Sequence, residues 1–211
     1  MFAVMFSIFD LSVLAAQEVN PLMARLQQKM ADAGRRDRAE YSGRDRALLC
    51  SYCHGEDGNS LKPEVPNLAG QNPGYLLEQI GRFARGERKD YVMNSLAAKF
   101  TEDDQINLAI YYATKKVKVS QYDQGLASQG KKLYRQNCQA CHGKTGMGNP
   151  GFARLAGQKP AYIKRTLSRF RASAQQQINT TKRRSPIMEP IASRLSEQEI
   201  GYLAAYIAGL R

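Results

Sequence analysis

"CSYCHGEDG", residues 50–58, places two cysteines, a histidine and two glycines within nine positions. Two residues between the cysteines let one helical turn present both thiols on the same side. That spacing suits a zinc ion, a disulfide or a haem, and alone it does not choose among them. A second copy, "CQACHGKTG" at 138–146, narrows the choice: C-x-x-C-H occurs twice and uses all four cysteines and both histidines of the 211-residue chain.

The motifs sit inside a longer internal repeat, the first thing to look for in any chain. "VPNLAGQNPGYLLEQIGRF" (65–83) matches "FARLAGQKPAYIKRTLSRF" (152–170) at an offset of 87, and "MNSLAAKFTEDDQINLAIYYA" (93–113) matches "MEPIASRLSEQEIGYLAAYIA" (188–208) at 95. The second half therefore carries eight extra residues between Phe170 and Met188. Each half reads as a helix entering C-x-x-C-H, a glycine-rich loop, a helix after LAGQ, another loop and a final amphipathic helix. Thr101 and Ser196, each followed by acidic residues, are expected N-caps of that last helix. Ile106, Leu108, Ala109, Tyr111 and Tyr112, and Ile200, Leu203, Ala204 and Ile207, form its apolar stripe.

No run alternates as a strand would, so the expected fold is all-α, with two tandem domains related by the repeat. Their boundaries are placed at 43–118 and 119–211, with the junction near 115–124, and residues 17–42 read as a charged helical extension. The first sixteen residues are largely apolar and end in small residues. They are short for a membrane span of about 20 residues and read as a signal peptide or, if retained, a membrane anchor. They lack a basic n-region, the first positive side chain being Arg25. Export makes the expected location periplasmic, with peripheral membrane association if the segment stays.

The net charge of +12 is unevenly spread: the Lys/Arg excess is +1 over 1–49, zero over 50–120 and +11 over 121–211. A chain polarised in this way should present its C-terminal half to an acidic redox partner. The basic residues are not interleaved with a stacking platform, which argues against nucleic acid.

Structural zinc wants four ligands, and a histidine next to its cysteine rarely reaches the same ion. A thioredoxin-like pair belongs to a βαβ setting that a helical chain lacks. Haem c explains every residue of the motif: the thiols of Cys50 and Cys53, and of Cys138 and Cys141, add to the vinyl groups, and His54 and His142 bind iron. Two covalent haem c groups are thus expected. Of the seven methionines only Met93 and Met188 hold equivalent places in the repeat, and they are the expected sixth ligands. A filled sixth position argues for an electron carrier with no catalytic residues.

With "CSYCHG", "CQACHG", both LAGQ segments and the Met-x-x-x-Ala stretches before the last helices, residues 43–211 resemble the dihaem cytochrome c4 family. The resemblance implies two fused class I cytochrome c domains facing each other about a pseudo-twofold axis. It also implies a carrier between membrane respiratory complexes, from a cytochrome bc complex to a haem-copper oxidase. A dihaem subunit of a flavocytochrome-type sulfide dehydrogenase, or a dihaem enzyme acting directly on a small substrate, is the alternative.

In such modules a proline carbonyl accepts the Nδ1 proton of the ligating histidine. Pro66 fits, but its counterpart is Ala153, which leaves a carbonyl near Pro150 as the expected substitute. The first half also has Asp45 and Arg46 where the second has its Gly130/Tyr134 pattern, leaving the packing of Gly43 on Tyr111 open. Glu56 and Asp57 after the first histidine, against Lys144 and Thr145 after the second, predict a lower potential for the N-terminal haem.

Overall fold

The computed structural model describes residues 20–175 and 183–211, and among them ten α-helices and no strands build the fold. The expected signal or anchor segment, 1–16, lies outside the described residues. Among those described, no helix is long and apolar enough to cross a membrane.

Each half is organised by one close helix crossing. The helix entering the first motif, α2 (Ala33–His54), meets α5 (Glu102–Ala113) at Gly43. A β-carbon there would lie 2.3 Å from the Asn107 carbonyl oxygen and 2.7 Å from Tyr111 Cβ, so glycine is what lets the backbones touch. In the second half α6 (Gln124–Asn137) meets α10 (Glu197–Gly209) at Gly130, where a β-carbon would lie 2.2 Å from the Tyr202 carbonyl and 2.6 Å from Tyr206 Cβ. Gly43 therefore packs on Tyr111 as Gly130 packs on Tyr206, and Arg46 turns outward to Asp104 at 2.9 Å.

What differs is the aromatic brace. Buried Tyr134 of α6 donates its hydroxyl to the Gly143 carbonyl at 2.7 Å, whereas the first half has Ala47 in that register and braces its haem-motif loop from α5, Tyr111 donating to Glu56 at 3.0 Å.

Both last helices begin with a full capping box, Thr101 with Asp104 and Ser196 with Glu199. Their expected stripes are buried. Ile106, Leu108 and Tyr112 pack with Leu76 and Leu77 of α3 (Pro73–Ala84). Ile200, Leu203 and Ile207 pack with Ile163 and Leu167 of α8 (Pro160–Ala174). Both α3 and α8 start with a proline in the first turn, where its missing N–H costs nothing. Short helices α4 (Tyr91–Ala97) and α9 (Met188–Ala192) precede the last helix of each half.

The extension forms two pieces. Helix α1 (Pro21–Ala31) stops at Asp32, whose extended backbone and side-chain acceptor for the Arg35 N–H start α2; α2 then runs unbroken into the first motif. Helix α1 buries Leu26 in the first core and lays cations on the acidic first turn of α5. Arg25 meets Glu102 at 2.6 Å and Asp103 at 2.9 Å, and Lys29 meets Asp103 at 3.0 Å.

The two LAGQ loops form the domain interface. The Gln71 side chain accepts from the Arg154 N–H at 2.6 Å and donates to the Arg154 carbonyl at 2.9 Å. Gln158 does the same to Asn67, at 2.8 and 2.9 Å. Gln71 and Gln158 are repeat equivalents, and so are Asn67 and Arg154, so each domain gives one amide to the backbone of the other. All four residues are buried.

Two outcomes follow from these contacts. Gln71→Ala or Gln158→Ala leaves a buried N–H and C=O unpaired, and each should cost about 1–3 kcal/mol, read as a drop in calorimetric midpoint or a splitting of one transition into two. The hydrogen bond from Lys29 holds the Asp103 carboxyl below its ordinary range. A carboxylate lowered by folding stabilises above its unfolded pKa of about 3.9 and loses that contribution as pH falls through the lower folded value. Acidification below about pH 4 should therefore loosen α1 on α5 while Leu26 keeps it seated, seen as modestly faster hydrogen exchange of its amides after intrinsic correction, and Asp103→Asn should show the same loosening already at neutral pH.

Candidate functional site

Both C-x-x-C-H motifs end a helix against a glycine of positive φ, Gly55 at 80° and Gly143 at 79°, which turns the chain away immediately after the histidine. In the first half the whole motif lies on α2. In the second, α6 breaks at Cys138 and a four-residue turn, α7 (Gln139–His142), carries the rest. Seven positions separate Gly43 from Cys50 but eight separate Gly130 from Cys138, and the break absorbs the extra residue.

Both imidazoles are buried, His54 at 7 % and His142 at 8 % exposure. The Nδ1 of His54 lies 3.0 Å from the Pro66 carbonyl, and that of His142 lies 2.9 Å from the Ala153 carbonyl. The acceptor for His142 is thus Ala153 itself, not a carbonyl near Pro150: the interaction needs a backbone oxygen at this place in the loop, and every residue has one. A carbonyl can only accept, so Nδ1 carries the proton and Nε2 keeps its lone pair free for a metal. Burial lowers the pKa of both rings, which favours the neutral form that ligation requires.

The cysteines are free thiols, and burial pushes Cys50 up and Cys138 to about 12. A thioredoxin-like pair needs the opposite shift.

Met93 and Met188 stand at equivalent places, each with its N–H bonded to a side chain three residues back. Met93 donates to Asp90 Oδ1 and Met188 to Ser185 Oγ, both at 3.1 Å. Asn94 and Glu189, again repeat equivalents, tie the preceding loops down: Asn94 Oδ1 accepts from the Asp90 N–H at 2.7 Å and Glu189 Oε1 from the Ser185 N–H at 2.8 Å. All eight expected residues, Cys50, Cys53, His54, Met93, Cys138, Cys141, His142 and Met188, line one continuous cavity of about 650 Å³ between the two domains.

That cavity also holds a group which motif reading missed. Arg88 donates to Gln79 at 2.7 Å and to the Tyr162 hydroxyl at 3.1 Å. Arg183 donates to the same hydroxyl at 3.3 Å and to that of Tyr75 at 2.9 Å. Backbone bridging joins Arg88 to Arg183 across the two halves. Tyr75 and Tyr162 are repeat equivalents, and the arginines each stand five residues before a methionine ligand candidate, so the repeat held the signal.

Neither arginine meets a carboxylate among the described residues, and the buried Nε of Arg183 has no partner. Arg183 is buried and Arg88 half-buried, and cations so enclosed need anions. The propionate groups of haem would supply them, so the lining fits that cofactor: free thiols and a lone-pair nitrogen at each motif, an apolar wall, and guanidinium and phenol donors between.

The chain was compared with known proteins. A family model described as cytochrome c oxidase, cbb3-type, subunit III matches residues 125–207. Cytochrome c4 of Pseudomonas aeruginosa is 35 % identical over 179 residues, covering 80 % of this chain and 87 % of the relative. The thiosulfate dehydrogenase electron acceptor of Stutzerimonas stutzeri is 27 % identical, covering 91 % of this chain and 92 % of the relative. The crystal structure of reduced recombinant cytochrome c4 from Pseudomonas stutzeri superposes with a TM-score of 0.73 at 34 % identity, covering 81 % of this chain and 98 % of that one. Repeat, fold, cavity and relatives agree, and the chain belongs to the cytochrome c4 family, dihaem c-type cytochromes that transfer electrons.

Proposed function

We propose that the chain is a periplasmic shuttle for single electrons between membrane respiratory complexes, from a cytochrome bc complex to a haem-copper oxidase. Thioether links at Cys50 and Cys53 would hold one haem, with His54 and Met93 to ligate its iron. Cys138 and Cys141 would hold the other, with His142 and Met188. The observation that carries this reading is the matched pair of buried, neutral, singly oriented histidines facing one cavity with two equivalently placed methionines. When bound, haem supplies the one-electron couple. The protein fixes the imidazoles, excludes water with Leu76, Leu108, Ile163 and Leu167, and places cationic donors between the domains.

Electrons enter at the N-terminal haem and leave by the C-terminal one. Positive charge disfavours ferric iron, and a unit charge about 15 Å away is worth roughly half a kcal/mol, on the order of 20 mV, before screening. Lys118 pairs with Asp57 at 2.7 Å and so weakens the case made from the residues after His54. Asp90 supports it against the opposing charge of nearby Arg88: the acid that caps α4 beside His54 has neutral Ser185 as its counterpart.

The basic half docks on an acidic partner. Lys131, Lys132 and Arg135 of α6 and Lys144 of the second motif are all exposed. The likeness to a thiosulfate dehydrogenase electron acceptor adds a periplasmic sulfur-oxidising dehydrogenase as a second class of electron donor.

Met93→Ala and Met188→Ala should each open one haem to carbon monoxide and lower that haem's potential, leaving the other near its original value. A redox titration that found the N-terminal haem the higher of the two would reverse the proposed direction. Lys131→Glu with Lys132→Glu should slow electron delivery to an acidic acceptor about tenfold at low ionic strength, and the difference should vanish in high salt.

A further inference from the structure

Arg154 heads the fully buried side chains by size, at 1 % exposure, and it belongs to neither motif. Its guanidinium meets no carboxylate among the described residues. Nη2 donates to the Ala69 carbonyl at 2.7 Å and Nη1 to the Ala156 carbonyl, while Nε is buried without a partner.

Ala69 and Ala156 are the same position of the two LAGQ loops. A β-carbon on Gly70 would lie 3.7 Å from Nε, and one on Gly157, its repeat equivalent, 3.9 Å from Nη1. The guanidinium therefore sits on the local twofold axis, shared by the two domains. Only one side chain can occupy such an axis, and the repeat is broken there: the counterpart, Asn67, is neutral and turns aside to donate to the Gly157 carbonyl at 3.2 Å.

Burial lowers the Arg154 pKa to about 10, so it is still a cation at neutral pH. It lines the same cavity as His54 and His142. The loops that hold it are also those whose Pro66 and Ala153 carbonyls orient the two imidazoles. A fixed charge in this enclosed place is little screened by salt, unlike the surface lysines.

We propose that Arg154 is a tuning residue common to both haems, raising both reduction potentials together without setting their order. Because it stands on the axis, it disfavours the extra positive charge of ferric iron in either domain. The order of the two potentials comes from residues off the axis, such as Asp90. This inference rests on the haem assignment above.

The test is a haem-resolved redox titration of the holoprotein with Arg154→Gln and Arg154→Lys, after haem content and the low-spin His/Met spectrum have been checked in the unaltered protein. Arg154→Gln keeps a donor for the carbonyls and removes the charge. Both midpoints should fall together, with about a tenfold change in each ferric-to-ferrous ratio, 59 mV for a one-electron couple. Arg154→Lys should keep both midpoints close to their original values.

Unmoved potentials in Arg154→Gln, or a fall at one haem alone, would overturn the inference. So would an equal fall in Arg154→Lys, which would mark lost geometry as the cause, or failure of both variants to assemble, which would make the role structural only. A missing His/Met spectrum in the unaltered protein would instead sink the ligand assignment on which the inference rests.

Discussion

One hydrogen bond, repeated, organises this molecule: the Nδ1–H of a buried histidine on a backbone carbonyl, Pro66 in one half and Ala153 in the other. It selects one tautomer and one ring orientation, and leaves the Nε2 lone pair free for a metal. Delivering the ring to that carbonyl requires a helix ending at the histidine, a glycine that turns the chain away, and a close crossing that fixes the helix on its neighbour. Gly43 on Asn107 and Gly130 on Tyr202 supply the crossing, and Gly55 and Gly143 the turn.

The carbonyl that holds each imidazole lies in a loop with a second duty. Within six residues, 66–71, Pro66 orients His54, Asn67 accepts the amide of Gln158, and Gln71 reaches into the other domain. Residues 153–158 repeat the arrangement. Site geometry and domain docking are therefore one structural unit, and a displacement of one domain moves the carbonyls that orient both histidines.

Directional transfer needs two sites that are alike in chemistry and unlike in energy, and the structure shows where the halves differ. The repeat puts Ser185 where the first half has Asp90 and Arg154 where it has Asn67, and the brace on the motif loop comes from Tyr111 in one half and Tyr134 in the other. The Lys/Arg excess belongs to the second half, although Arg154 and Arg183 within it are buried. The extension α1 adds a clasp to the first domain alone, joining the acidic start of α5 to a helix that the resemblance over 43–211 does not include.

Local pattern was enough for the motifs, the all-helical repeat, the capped last helices with their apolar stripes, and the pairing of Met93 with Met188. Each of these depends on residues close in the chain, where spacing maps directly onto a helical turn or a loop. The acceptor for His142 was misplaced because a backbone carbonyl has no side chain to read, and proline had been standing in for it. LAGQ was legible as a repeat marker and not as an interface, since the partner of each glutamine lies more than eighty residues away. Arg88, Arg183 and Arg154 belong to no motif, and for the same reason they were not singled out in the sequence. Whether an arginine is solvated or enclosed is decided by which elements the fold packs around it, and that information exists only once the two halves have met.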